Sequence, residues 1–190
     1  NLYGNSNNIC YVGGIAKVRG LKEMIESVNL TESDVTLHLA GNIIDSDLSL
    51  FDKLQKEHDF SNIRLHGFLN RKNVFDIIRN SRIGLVLLHP LPNYVESLPI
   101  KLFEYLLAGV PVIASDFPLF RSIVEDNKCG ICVNPLNTKA IADAIDTLLQ
   151  NVEMLKQMGE NGRQLVLSKY NWNIEEKKLL NLYSNILEIN

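Results

Sequence analysis

Glu96-Ser97-Leu98-Pro99-Ile100-Lys101-Leu102-Phe103-Glu104 runs directly into Tyr105-Leu106-Leu107-Ala108-Gly109-Val110-Pro111-Val112-Ile113-Ala114-Ser115-Asp116. The first carboxylate stands in a Pro/Asn-rich loop and the second inside an apolar run that reads as a helix feeding a buried strand. Pro99 suits the first helical position, since a helix start leaves its amides unpaired and proline's fixed φ is already helical. Gly109 suits the stop. Between them Ile100, Phe103 and Leu107 fall at helical spacing on one predicted core face, which Leu102 and Leu106 widen. Glu104 then lies beside that face, where an unpaired carboxylate is costly. The plainest account makes Glu96 a surface charge and pairs Glu104 with Lys101 at i,i+3. The alternative is that both carboxylates serve a ligand.

A chain of 190 residues, 46% of them hydrophobic, fills one core and is too short for two ordinary domains. One domain over 1–190 is therefore expected, with helices closing it from about 137 to 190. The net charge of −3 leaves no basic excess for a nucleic-acid backbone, so nucleic acid is not an expected partner and any anion site must be local. No apolar run reaches the roughly 18 residues of a membrane span. The opening Asn1 to Asn8 also lacks the basic and apolar parts of a signal peptide. These features predict a cytoplasmic protein, and the polar start on Asn resembles a segment cut from a longer chain.

Cys10, Cys129 and Cys132 make no disulfide framework. Cys129-Gly130-Ile131-Cys132 has C-x-x-C spacing, but no second pair completes a zinc set, and Val133-Asn134-Pro135 continues as strand and turn where a redox motif needs a helix. Small strand residues is the better reading. His38, His58, His66 and His89 offer no metal spacing, and no Ser sits in a G-x-S-x-G elbow. No metal or cofactor is expected.

Taken in order, Ile9 to Val12 reads as a strand, Gly13-Gly14 as a turn, and Leu21 to Val28 as an amphipathic helix. Glycines at such a turn let backbone amides approach an anion, and the helix start adds its dipole. Gly13, Gly14 and Gly20 do not fit G-x-G-x-x-G. Lys17, Arg19 and Lys22 form a small cationic cluster beside the turn. Further strands are expected at 35–41, 63–68, 83–88, 110–114 and 130–133, the last at an edge. Helices are expected from about Ser46 to Glu57, after an Asn70 cap, over 119–124, and from Thr138 onward. There Ile141, Ala144, Ile145 and Leu148 make one stripe, Met154 and Met158 a second, and Leu179, Leu180, Tyr183 and Leu187 a third. This alternation predicts an α/β fold with a doubly wound, Rossmann-like parallel sheet. Its ligand lies beyond the carboxyl ends of the strands, where the turns at Gly13–Arg19, Gly67–Phe68 and Glu96–Pro99 all emerge.

The E-x7-E spacing of Glu96 and Glu104, with Gly109-Val110-Pro111-Val112 behind it, resembles the signature of group 1 retaining glycosyltransferases of the GT-B fold. The Tyr170-Asn171-Trp172 ending is similar to theirs too. The resemblance implies the donor-binding C-terminal half of a GT-B enzyme. Glu104 would hold the ribose of a UDP- or GDP-linked sugar; Glu96 and the backbone of Ser97, Leu98 and Pro99 would address the sugar and β-phosphate; Gly67-Phe68 would border the base. Family members carry Gly-Arg-Leu and then Lys-Gly near the first turn, both cations holding the diphosphate. Here Gly14 stands where the Arg is expected and Arg19 where the Lys is, so one cation is missing, with Lys17 and Lys101 as candidate replacements. Glu96 and Arg19 are the implied catalytic residues, Gly13 and Gly14 part of the phosphate turn. The implied reaction moves a sugar, with retention, to a glycan or lipid-linked glycan bound by an absent N-terminal half. That points to bacterial polysaccharide or cell-envelope synthesis, with the full-length enzyme at the inner membrane face as a peripheral protein and the fragment alone inactive. A GT-B sugar-nucleotide epimerase and a non-catalytic nucleotide-sensing or scaffold module are the alternatives.

Overall fold

The computed structural model describes residues 6–188. Six strands, β1 (Asn8–Val12), β2 (Thr36–Ala40), β3 (Ile63–Gly67), β4 (Ile83–Val86), β5 (Val112–Ser115) and β6 (Gly130–Val133), form one sheet in the order β3-β2-β1-β4-β5-β6. All pairings are parallel. Between them run α1 (Leu21–Val28), α2 (Leu48–Glu57), α3 (Arg71–Arg79), the short α4 (Pro92–Val95), α5 (Ile100–Leu107) and α6 (Pro118–Val124). Helices α7 (Thr138–Gln150), α8 (Val152–Lys169) and α9 (Trp172–Glu188) follow. This is the doubly wound, Rossmann-like sheet that the alternation predicts.

Each central strand feeds two cores because its side chains alternate between faces. From β1, Ile9 and Tyr11 join Leu21, Met24, Ile141 and Ile145 on one side. Cys10 and Val12 join Leu102, Tyr105, Phe120 and Val166 on the other. Side-chain caps set several helix starts: Asn70 accepts from the Asn73 amide at 2.9 Å, and Asn137 and Asn151 do the same for α7 and α8. Gly109, at φ 77°, ends the turn after α5.

Three expectations need correction. Pro99 is not the first helical residue: it is extended (φ −68°, ψ 129°), its carbonyl accepts the Leu102 amide at 3.0 Å, and the helix begins at Ile100. The face α5 buries is Leu102, Tyr105 and Leu106, whereas Ile100 is 75% exposed and Leu107 also faces solvent. Apolar residues occupy most of this helix, so its orientation is set by what it meets, with the sheet on one side and α8 on the other. Finally Leu179, Leu180, Tyr183 and Leu187 form no core stripe, for they are exposed on α9. The Met154 and Met158 side chains do pack against the core. Cys129, just before β6, is buried and Cys132, within it, half-buried, and both are free thiols pushed up to about 12, chiefly by burial.

Candidate functional site

The sheet changes winding direction between β1 and β4, which are neighbours although far apart in sequence. Connections diverge there, and a crevice opens at the carboxyl ends of the strands. A cavity of about 560 Å³ occupies that crevice, its polar wall made by Gly13, Arg19, Tyr94, Ser97, Lys101 and Glu104. Val12, Val74, Leu88, Pro99 and Ile100 make the apolar side.

The turn after β1 is pinned by close approach. Gly20 is left-handed (φ 81°), and a Cβ there would lie 2.6 Å from the Leu87 carbonyl oxygen, so only glycine lets the turn rest on the chain leaving β4. The His89 amide donates to the Val18 carbonyl at 2.9 Å and closes the same contact. Arg19 is thereby carried to the cavity wall. Its guanidinium donates to the Gly14 carbonyl at 3.3 Å, an oxygen that also accepts the Tyr11 hydroxyl at 2.7 Å. A hydrogen bond with Tyr94 pushes the Arg19 pKa further up, so the group is a permanent cation. A Cβ on Gly14 would stand 2.9 Å from Arg19 Nη1, so glycine at 14 makes the room the guanidinium fills.

Lys101 comes from the first turn of α5. Its stem is half-buried while Nζ is out of solvent, without a hydrogen-bond partner, 3.5 Å from the centroid of the Tyr11 ring. The i,i+3 pairing with Glu104 therefore does not form as a hydrogen bond. Burial depresses the Lys101 pKa well below the usual lysine range, and the Arg19 charge pushes it the same way, against weaker upward pulls from Cys10 and Glu104. A desolvated cation over a ring gains about 2 kcal/mol, too little to offset a fully buried ammonium beside a second cation. Glu104, half-buried one turn on, faces the cavity beside it.

The loop after α4 supplies less than its pattern implies. The Ser97 amide is spent on the Tyr94 carbonyl at 3.1 Å, proline has no N–H, and so of Ser97, Leu98 and Pro99 only Leu98 has an amide left to offer. Glu96 and Leu98 are exposed outside the lining. Gly14 is behind Arg19 and is not part of the wall. Gly67 and Phe68 are not brought to the cavity either: β3 is the sheet's edge strand, two strands from β1, and Phe68 is 80% exposed. Lys17 is exposed, its backbone amide held by Asp47 at 2.8 Å. Tyr94 and Tyr11, which seat the Arg19 guanidinium and the Lys101 amine, are not singled out by the sequence motifs; aromatic residues flanking both the glycine turn and the Glu96 loop are the available signal.

Among curated proteins the chain is 29% identical, over 182 residues, to the alpha-D-kanosaminyltransferase of Streptomyces kanamyceticus, covering 94% of this chain and 45% of that protein. Among solved structures it superposes on the sucrose-phosphate synthase of Thermosynechococcus elongatus with a TM-score of 0.85 at 19% identity, covering 98% of this chain and 47% of that one. It also superposes on Anabaena HepE, solved in complex with UDP, with a TM-score of 0.84 at 15% identity over 95% of this chain and 49% of that one. The chain spans less than half the length of the curated relatives it matches. The fold matches the domains of GT-B glycosyltransferases. The family described as glycosyl transferases group 1 matches residues 1–165, and the chain belongs to that family.

Proposed function

We propose that this chain binds the nucleotide diphosphate sugar of a retaining glycosyltransferase in the cavity between β1 and β4. The observation that carries the reading is the convergence of the Arg19 guanidinium, the Lys101 amine and the Glu104 carboxylate on one crevice at the strand ends. Its volume of about 560 Å³ falls within the roughly 300–1,000 Å³ of small-molecule sites. Each part of such a donor has a matching group. The diphosphate suits the guanidinium fork of Arg19 and the Lys101 amine. A ribose cis-diol suits Glu104, which accepts two hydrogen bonds. The base suits the apolar side at Val74, Leu88 and Ile100. That HepE was solved with UDP, and with UDP-glucose, supports a uridine nucleotide as the first ligand to test.

In this reading the nucleoside diphosphate departs from an oxocarbenium-like carbon, and negative charge grows on the β-phosphate oxygen. Arg19, already charged and already oriented by Gly14 and Tyr94, stabilises that charge without reorganising. Glu96, exposed beside the cavity-lining Ser97, is assigned to the sugar ring in this reading. Acceptor recognition, for a glycan or lipid-linked glycan of the bacterial envelope, is assigned to sequence beyond these 190 residues, as is any peripheral membrane contact. Among the described residues no helix is long and apolar enough to cross a membrane.

Calorimetric titration with UDP, GDP and ADP tests the donor site. One nucleotide series binding at millimolar concentration or tighter, and weakened by both Arg19→Ala and Glu104→Ala, is the expected result. Heat from none of them, or binding indifferent to both substitutions, overturns the reading.

A further inference from the structure

The family pattern leaves one phosphate cation unaccounted for at Gly14, and two lysines are candidates to replace it. The geometry separates them. Lys17 points to solvent away from the cavity. Lys101 lines it, with Nζ so close to the glycine turn that a Cβ on Gly13 would lie 3.3 Å from it. We propose that Lys101 is the second phosphate-binding group, reaching the diphosphate from α5 instead of from the glycine turn, and that the diphosphate draws a proton from solvent onto its amine as it binds. This rests on the donor site proposed above.

Three features support it. Among the described residues Nζ has no hydrogen-bond acceptor, which a resident ammonium normally finds when buried. The charged and titratable groups facing it are Arg19 from the turn, Cys10 and Tyr11 from β1, and Glu104 from its own helix. Arg19 and burial disfavour a charge on the amine, and Cys10, whose thiol is pushed up to about 12, brings no thiolate at neutral pH to offset them. A diphosphate inverts that balance, since it places two or more negative charges within reach of both side chains. The free site therefore avoids confronting two bare cations, and the second charge forms only with the ligand that needs it.

Calorimetry of UDP, GDP and inorganic pyrophosphate near pH 7.5, in two buffers of different ionisation enthalpy, counts the protons. The intact chain takes up protons on binding, with pyrophosphate as well as with the nucleotide. Lys101→Met, which keeps an apolar stem in the same space, loses the uptake and about 10- to 100-fold in affinity; Lys17→Ala changes neither. In the free chain, NMR titration of 13Cε-labelled lysines shows the Lys101 resonance changing at lower pH than the other lysines, and moving upward on adding pyrophosphate. Nucleotide binding without proton uptake, or uptake and affinity that survive Lys101→Met, overturns this inference and leaves the donor site standing. A Lys101 resonance that titrates with the surface lysines overturns it without any ligand. No binding of UDP, GDP or pyrophosphate overturns both.

Discussion

The phenol oxygen of Tyr105, in α5, accepts the backbone amide of Val12, the last residue of β1, at 2.8 Å. The helix that carries Lys101 and Glu104 is tied by this bond to the strand that leads into Gly13. The ring lies over Gly84 of β4, where a Cβ would come within 2.4 Å of it. Tyr105→Phe keeps the packing but strands a buried amide, and should cost about 1–3 kcal/mol. Gly84→Ala drives a methyl into the ring and should cost at least as much, with a loosened α5. Urea unfolding measures both, and a Tyr105→Phe midpoint equal to that of the parent would show that the bond adds nothing.

The same tyrosine shows what was legible in the sequence. The strands were, because a parallel sheet buried on both faces writes itself as short continuous apolar runs. The orientation of α5 was not. Ile100, Leu102, Phe103, Tyr105, Leu106 and Leu107 cover most of its circumference, and the choice falls to Gly84 and to Gly162 of α8, whose added Cβ would sit 2.7 Å from Leu106. Both partners are remote in sequence. Of the site, Gly13, Arg19, Ser97, Pro99, Lys101 and Glu104 are legible from motif and reach the cavity. Gly67 and Phe68 are candidates by their strand-end position and by the family resemblance, and strand order, invisible to local pattern, carries β3 to the sheet edge. Tyr94 is not legible from local pattern because its partner, Arg19, is far away along the chain.

Gly14 makes room for a cation. Alanine there meets the far end of the Arg19 side chain, which moves easily, so stability should change little. What is lost is the seat on the Gly14 carbonyl. Nucleotide affinity should fall several-fold with a melting temperature within about a degree or two of the parent. Calorimetry and thermal unfolding on the same sample decide it, and unchanged affinity would show that the seat does not orient Arg19.

If Glu104 holds a ribose diol, its contribution depends on the 2′-hydroxyl. The intact chain should prefer UDP to 2′-deoxy-UDP by about tenfold, the effect of one charge-assisted hydrogen bond. Glu104→Ala should erase that preference by weakening UDP alone. A preference that survives the substitution assigns the diol to another group.

His38 and His66 meet on the exposed side of β2 and β3, with Nδ1 of one 2.9 Å from Nε2 of the other and the rings stacked 5.2 Å apart. One ring donates and the other accepts, so the contact needs at least one neutral imidazole. Burial lowers the His38 pKa, and charge on His66 and on Arg64 lowers it further. The sign follows from linkage: with the folded value depressed, the unfolded chain takes up the proton first as pH falls. Stability should therefore decline from about pH 6.5 downward and the loss should level off below the folded value. The urea midpoint should drop further between pH 7.5 and pH 5 for the parent than for His38→Gln, which lacks the imidazole whose pKa folding lowers. Equal drops would place the acid sensitivity elsewhere in the fold.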